Sequence, residues 1–136
     1  MYALKSLDIM KVLGNKDSFD LFNNIAEKVI IDTTVLQSTT RLSKKRYYTG
    51  IQKLMACGLI RRKSKNLSLT SFGQIINDIM LKMDSAVNEY FRLKAVDLII
   101  GSRGIGEKEC RQLVDEFIKD REIKTVLLQR IEGHLN

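Results

Sequence analysis

The sequence has no proline and no tryptophan among its 136 residues, only two cysteines and a single histidine. Without proline nothing in the chain deletes a backbone donor or kinks a helix, so long helical stretches are open to it. Cys57 and Cys110 lie far apart, and His134 stands alone near the C-terminus. Neither a zinc site nor a Cys-His or Ser-His nucleophile therefore has its residues at a usable spacing. No metal, no cofactor and no catalytic residue is expected. Cys57, in the apolar stretch LMACGLI, reads as a small buried residue rather than a redox sensor. No apolar run approaches the length of a membrane span, and the opening MYALKSLDIMKVLG carries Asp8 and no signal-peptide cleavage pattern. The expected setting is cytoplasmic, with no membrane.

The most informative absence is of acid. From Thr33 to Asn77 there is no Asp or Glu, yet the segment holds nine basic residues: Arg41, Lys44, Lys45, Arg46, Lys53, Arg61, Arg62, Lys63 and Lys65. The net charge is +7, and the rest of the chain is slightly acidic, so the basicity belongs to this one segment. A solvated surface normally intersperses acids. A face that binds a polyanion does not, because each Lys or Arg beside a phosphate releases condensed counterions. The remaining composition, 44% hydrophobic and 29% charged, is that of a folded, helix-rich chain of one domain, or one small domain with an appendage.

Along the chain, Leu4, Leu7, Met10 and Leu13 recur at helical spacing, and Gly14-Asn15 suits the end of that helix. Asp17 or Ser18 is expected to cap a second helix with the stripe Phe19, Phe22, Ile25, Ala26 and Val29. Val29 to Ile31 can form a short extended segment, Thr33 to Thr40 a third helix, and Ser43 the N-cap of a fourth, SKKRYYTGIQKLMACG. On that fourth helix Tyr47, Ile51, Leu54 and Met55 share one side; Lys45, Arg46, Thr49, Gln52 and Lys53 share the other. Tyr48 lies at the boundary. Gly50 lowers helix propensity by about 1 kcal/mol relative to Ala; close approach to DNA and packing against a neighbouring helix would each explain it.

Gly58 closes this helix, and Leu59 to Lys63, the turn Ser64-Lys65-Asn66, and Leu67 to Thr70 read as a hairpin that must lean on the helices. Ser71 and Gln74 have the spacing of a capping box. Phe72, Ile76, Ile79, Met83, Ala86, Tyr90 and Leu93 then alternate spacings of four and three, a coiled-coil seam on one helix reaching about Ile100. Cys110, Leu113, Val114, Phe117 and Ile118 mark a further amphipathic helix, and Ile123, Val126, Leu127 and Ile131 a last one.

Between them stands GSRGIG, Gly101 to Gly106, after the apolar Leu98-Ile99-Ile100. Glycines at a strand-to-helix turn can cradle a pyrophosphate, but that use needs a βαβ unit and further parallel strands, and only 30 residues follow Gly106. The string is similar to one in the short-chain dehydrogenases, where a further glycine stands at the place of Ile100. The simpler reading is a hinge between helices, with a nucleotide-binding enzyme the third-ranked alternative.

The run SKKRYYTGIQKLMACGLIRRKSKNLSLTSFGQII, Ser43 to Ile76, resembles the winged helix-turn-helix transcriptional regulators, including the small archaeal ones. It looks like a recognition helix, the Gly-Leu-Ile that closes it, a short basic wing, and the Leu-Thr-x-x-Gly that opens the next helix. MKVLGNKDSFDLFNNIAE is similar to the first two helices of that domain. The resemblance implies a mainly α fold: a winged helix-turn-helix core over residues 1–70 with a short β-hairpin wing, then a long helix and C-terminal helices over 71–136.

It also implies sequence-specific binding of double-stranded DNA, with the recognition helix 43–57 in the major groove and the wing 59–70 on the backbone. The candidate contacts are Lys44, Lys45, Arg46, Tyr48, Thr49, Gln52 and Lys53 on the helix and Arg62, Lys63 and Lys65 on the wing. Arg46 would hold guanine and Gln52 adenine, while Lys44, Lys63 and Lys65 would meet phosphates. A homodimer through helix 71–100 is expected from the seam, unless the C-terminal helices fold back over it. The alternative function is a winged helix whose basic face meets an acidic protein partner.

Overall fold

A computed structural model describes residues 3–102 and 104–135; Arg103 of the glycine-rich loop and the side chain of His134 lie outside the described part. In chain order the elements are α1 (Ser6–Leu13), α2 (Lys16–Lys28), β1 (Ile30–Asp32), α3 (Thr33–Thr40), α4 (Lys44–Ala56), β2 (Ile60–Lys63) and β3 (Asn66–Leu69). There follow α5 (Ser71–Asn88), α6 (Tyr90–Ser102), α7 (Glu107–Phe117) and α8 (Arg121–Leu135). They form two compact units, Met1–Asp78 and Ile79–Asn136, so that the division falls inside α5.

The first unit has the winged-helix order, helix, strand, two helices, then a hairpin, preceded by α1. Its strands form one antiparallel sheet in the order β1-β3-β2, with Leu67 of β3 facing Ile31 on one side and Arg62 on the other. The wing is thus a three-stranded sheet and not a lone hairpin: the short extended segment after α2 joins it because Ile31 is buried there. The turn is also one residue shorter than expected. Ser64 at φ 58° takes the left-handed conformation that a two-residue hairpin turn demands, and Asn66 already pairs with Lys63.

Side-chain caps decide where the helices start. Ser43 accepts from the amide of Arg46 at 3.3 Å and opens α4, as its position suggests. Asp17 and Ser18 do not cap α2; Asn15 does, accepting from the amide of Ser18 at 3.1 Å. The chain turns at Gly14, so Asn15 is the last extended residue and the two after Lys16 are already helical. Likewise Thr70, not Ser71, caps α5: its hydroxyl accepts from the amide of Gly73 at 2.9 Å and donates to the carbonyl of Gly58. One side chain thereby joins the end of α4 to the start of α5.

The core of this unit is Leu21, Phe22 and Ile25 of α2, Leu36 of α3, Tyr47, Ile51 and Leu54 of α4, and Leu59, Ile60, Leu67 and Leu69 around the hairpin. Five expected core positions are exposed instead. Val29 is exposed, held at φ 67° beyond the end of α2. Met55 is 42% exposed, because at about 100° per residue it lies near the edge of the face centred on Tyr47 and Leu54. From α1 only Ile9 is buried, while Leu4, Leu7 and Met10 are exposed. Both cysteines are free and buried, and burial pushes the Cys57 thiol up, away from reactivity.

In the second unit Val96 of α6, Val114 of α7 and Ile118 form the core, with Leu93, Ile100, Ile123, Leu127, Leu128 and Ile131 packed against them. Leu98 to Ile100 lie within helix α6, which runs on to Ser102, so this run is not a strand. The single helix expected from Ser71 to about Ile100 is broken at Glu89. That carboxylate is 4% exposed and accepts the backbone amides of Lys119 at 3.3 Å and Asp120 at 3.1 Å, while Arg92 donates to it at 3.1 Å. At this turn the backbone still bonds on both sides, the Glu89 amide donating to the Ser85 carbonyl at 3.1 Å and the Leu93 amide to the Glu89 carbonyl at 2.9 Å. Gly106 precedes α7, its amide donating to Glu109 at 2.8 Å; of GSRGIG, Gly101 and Ser102 belong to α6 and Gly104 to Gly106 lead into α7.

Candidate nucleic-acid interface

Helix α4 is divided sharply by burial. Tyr47, Gly50, Ile51 and Leu54 are buried, whereas Lys44, Lys45, Arg46, Tyr48, Thr49, Gln52 and Lys53 are exposed. The buried side is anchored in two places. The Tyr47 hydroxyl bonds Thr33 Oγ1 and donates to the Thr33 carbonyl at 3.1 Å, which ties α4 to the start of α3. Gly50 lies against α2: a Cβ there would stand 2.5 Å from Leu21 Cδ1. Packing against a neighbouring helix therefore accounts for this glycine. Tyr48 meets Tyr47 edge-on, with ring centroids 5.4 Å apart, and remains 46% exposed.

The wing supplies Arg61, Arg62 and Lys63 on β2 and Lys65 in the turn, all exposed. Arg62 folds back over the turn, its Nε donating to the Ser64 carbonyl at 2.9 Å, and Arg61 Nε reaches Ser68 Oγ at 3.3 Å. Lys63 and Lys65 thus flank the tip. The tip is not loose: the amide of Thr33 donates to the Lys65 carbonyl at 2.8 Å.

One residue of the site was not legible from the chain. Asp17, in the first turn of α2, forms a two-point ion pair with Arg46, with Oδ1 2.6 Å from Nη2 and Oδ2 2.8 Å from Nε. The Arg46 hydrogen bonds hold the Asp17 carboxyl below its ordinary range, and the same pair raises the Arg46 guanidinium. Asp17 and Arg46 line a cleft of about 240 Å³ with Asn15, Ser18, Lys45, Thr49, Gly50 and Lys53. A second, more open hollow of about 390 Å³ is lined by Thr34, Gln37, Ser38, Arg41 and Leu42, with Arg41 in the left-handed conformation that ends α3.

Chemically, this surface offers ammonium and guanidinium donors, a hydroxyl and a carboxamide on a rigid helix. That set suits phosphate contact and base-edge reading. Among the described residues no group of three His, Cys, Asp or Glu side chains could hold a metal ion, and no helix is long and apolar enough to cross a membrane.

No protein-family model and no curated protein matches this sequence. Among solved structures, the crystal structure of NadR in complex with 4-hydroxyphenylacetate is similar over 96% of this chain and 89% of that one, at 18% identity and a TM-score of 0.47.

Proposed function

We propose that this chain is a transcriptional regulator of the small archaeal winged-helix type, which binds double-stranded DNA with α4 in the major groove and the wing on the phosphate backbone. The observation that carries this reading is the outer face of α4: Lys45, Thr49, Gln52 and Lys53 stand exposed on a helix whose other face is locked into the core. A helix so presented fits the major groove, and its charges suit the phosphates beside it.

Affinity for duplex DNA is expected to fall steeply between low and moderate salt, by about 0.9 log units per log unit of salt for each phosphate neutralised. Arg46→Ala or Gln52→Ala should weaken the preferred site roughly tenfold and relax its sequence choice, whereas Lys63→Ala should weaken all duplexes about equally. Fluorescence anisotropy against salt checks all of these. An affinity indifferent to salt would remove the reading, and a selective effect of Lys63→Ala would exchange the roles of helix and wing. The second reading is an acidic protein partner, whose carboxylates would meet the basic face as Asp17 meets Arg46 within the chain.

The proposed active form is a homodimer through α5. On that helix Ile75, Ile79, Met83 and Val87 are 50% to 66% exposed, an apolar stripe of the kind that pairs helices. Of the expected seam, Phe72, Ile79, Met83 and Tyr90 are exposed, Ile76 and Ala86 are half-buried with Ile75 and Val87 exposed beside them, and Leu93 packs into the core of the second unit. Two recognition helices about 34 Å apart would then read a pseudo-palindromic site. Met83→Lys is expected to place a charge on the twofold contact and yield a monomer with much weaker DNA binding. Sedimentation decides it: an unmodified chain that is monomeric well above its DNA-binding concentration has no such dimer.

A further inference from the structure

We propose that Asp17 sets the sequence choice of the protein from outside the recognition helix, as a positioning residue that holds Arg46 in the orientation needed to read a base. The proposal rests on the DNA-binding reading above. The geometry of the pair is specific about which donors it uses. A guanidinium carries five N–H groups in a fixed plane. Asp17 takes the side edge, Nε and one hydrogen of Nη2, at 2.8 Å and 2.6 Å. Left over are both hydrogens of Nη1 and the second of Nη2. One hydrogen of Nη1 and that of Nη2 form the end edge, the fork that grips O6 and N7 of guanine or two oxygens of one phosphate.

Exposure agrees with this division. The Arg46 side chain is 61% exposed and that of Asp17 only 20%, so the guanidinium stands outside its carboxylate. The support beneath is rigid. Asp17 belongs to the first turn of α2, whose start is pinned by Asn15 and whose next turns bury Leu21, Phe22 and Ile25. A side chain held in this way loses less freedom on docking than a free arginine, and it can engage only a partner placed in line with its open edge. Charge works in the opposite direction. Asp17 shares its cleft with Lys45 and Lys53, so its negative charge subtracts from the general attraction for phosphate.

These two effects make the role testable, because positioning and charge move DNA binding in different ways. The experiment uses the full chain, a preferred duplex selected from a random pool, and the set of its single base-pair variants. Asp17→Asn keeps the shape of the side chain and removes the carboxylate. It is expected to reduce discrimination roughly tenfold at one base pair, the same one that Arg46→Ala affects, with preferences elsewhere intact. Added to Arg46→Ala, it should change no preference further. Asp17→Glu, which restores the carboxylate, should recover discrimination relative to Asn.

If Asp17→Asn instead tightens binding to every duplex equally and leaves the preference intact, Asp17 acts only as a charge and the proposal is overturned. A change at a different base pair from that of Arg46→Ala, or a Glu variant no better than Asn, overturns it as well. An unmodified protein that binds no duplex at all removes the DNA-binding reading itself, which is a separate and prior failure that takes this role with it.

Discussion

A Gly73→Ala variant unfolds at markedly lower denaturant than the parent chain, with a loss of roughly 3 kcal/mol. Helix propensity alone points the other way, since alanine in place of glycine inside a helix stabilises by about 1 kcal/mol. Contact decides the sign. A Cβ on Gly73 would stand 2.0 Å from the carbonyl oxygen of Leu59 and 3.0 Å from its carbon. That backbone cannot move aside freely, because the Leu59 carbonyl accepts the amide of Thr70 at 3.1 Å and the Leu59 amide donates to Leu54 at 3.0 Å. Relief would break the junction between α4, β2 and α5. Gly50→Ala is the informative control: its Cβ would crowd the Cδ1 end of the Leu21 side chain, with Leu21 Cγ and Ser18 Oγ at ordinary contact distance and no backbone atom in the way, so its cost is smaller. Urea titration followed by circular dichroism compares them. A Gly73→Ala variant as stable as the parent would mean that the approach of α5 to Leu59 is looser than described.

The second large effect is at Glu89. Glu89→Ala leaves the amides of Lys119 and Asp120 without their acceptor and frees Arg92. A fall on the order of 10 °C in the thermal transition of the second unit is expected. The same residue carries a pH signature. Burial by itself would raise its pKa, but the hydrogen bonds from Arg92, Asp120 and Lys119 outweigh burial and hold the carboxyl below its ordinary value of 4.5. A group depressed in the folded state contributes stability that is complete above its unfolded pKa. That contribution is lost as pH falls through the folded value. The unit should therefore weaken with acid below about pH 4.5. Glu89→Gln keeps an acceptor oxygen but cannot titrate, so it should be less destabilising than alanine and show a flatter acid limb. An acid limb unchanged in the Gln variant would assign the titration to another group.

What could be read from the chain, and what could not, follows from the range of the interactions involved. The polar face of α4, the cap at Ser43 and the bounds of α3 are local matters of spacing and side-chain type, and they appear as expected, while the apolar face loses only Met55 at its edge. Caps were misplaced where good capping residues crowd together: Asn15, Asp17 and Ser18 all suit the role, as do Thr70 and Ser71, and the turn of the preceding chain chooses between them. The break at Glu89 has no local signal. The apolar spacing runs on past it without glycine or proline, and the groups that draw Glu89 inward lie 30 residues away. The Asp17–Arg46 pair spans 29 residues and was invisible for the same reason. The exposed residues of the face were legible, but the carboxylate of Asp17 paired with Arg46 was not.

The third strand changes what the short wing can be. β1 is hydrogen-bonded along β3, and Thr33 holds the carbonyl of Lys65 at the turn. A long free wing explores many conformations and must be ordered when it meets a groove, at about 1–2 kcal/mol of lost chain entropy per residue. Here that ordering is already complete in the free molecule. The wing gives up reach in exchange for stiffness, so on the proposed DNA-binding reading it would dock as a preformed surface, with the small heat-capacity change of rigid docking rather than the large one of coupled folding.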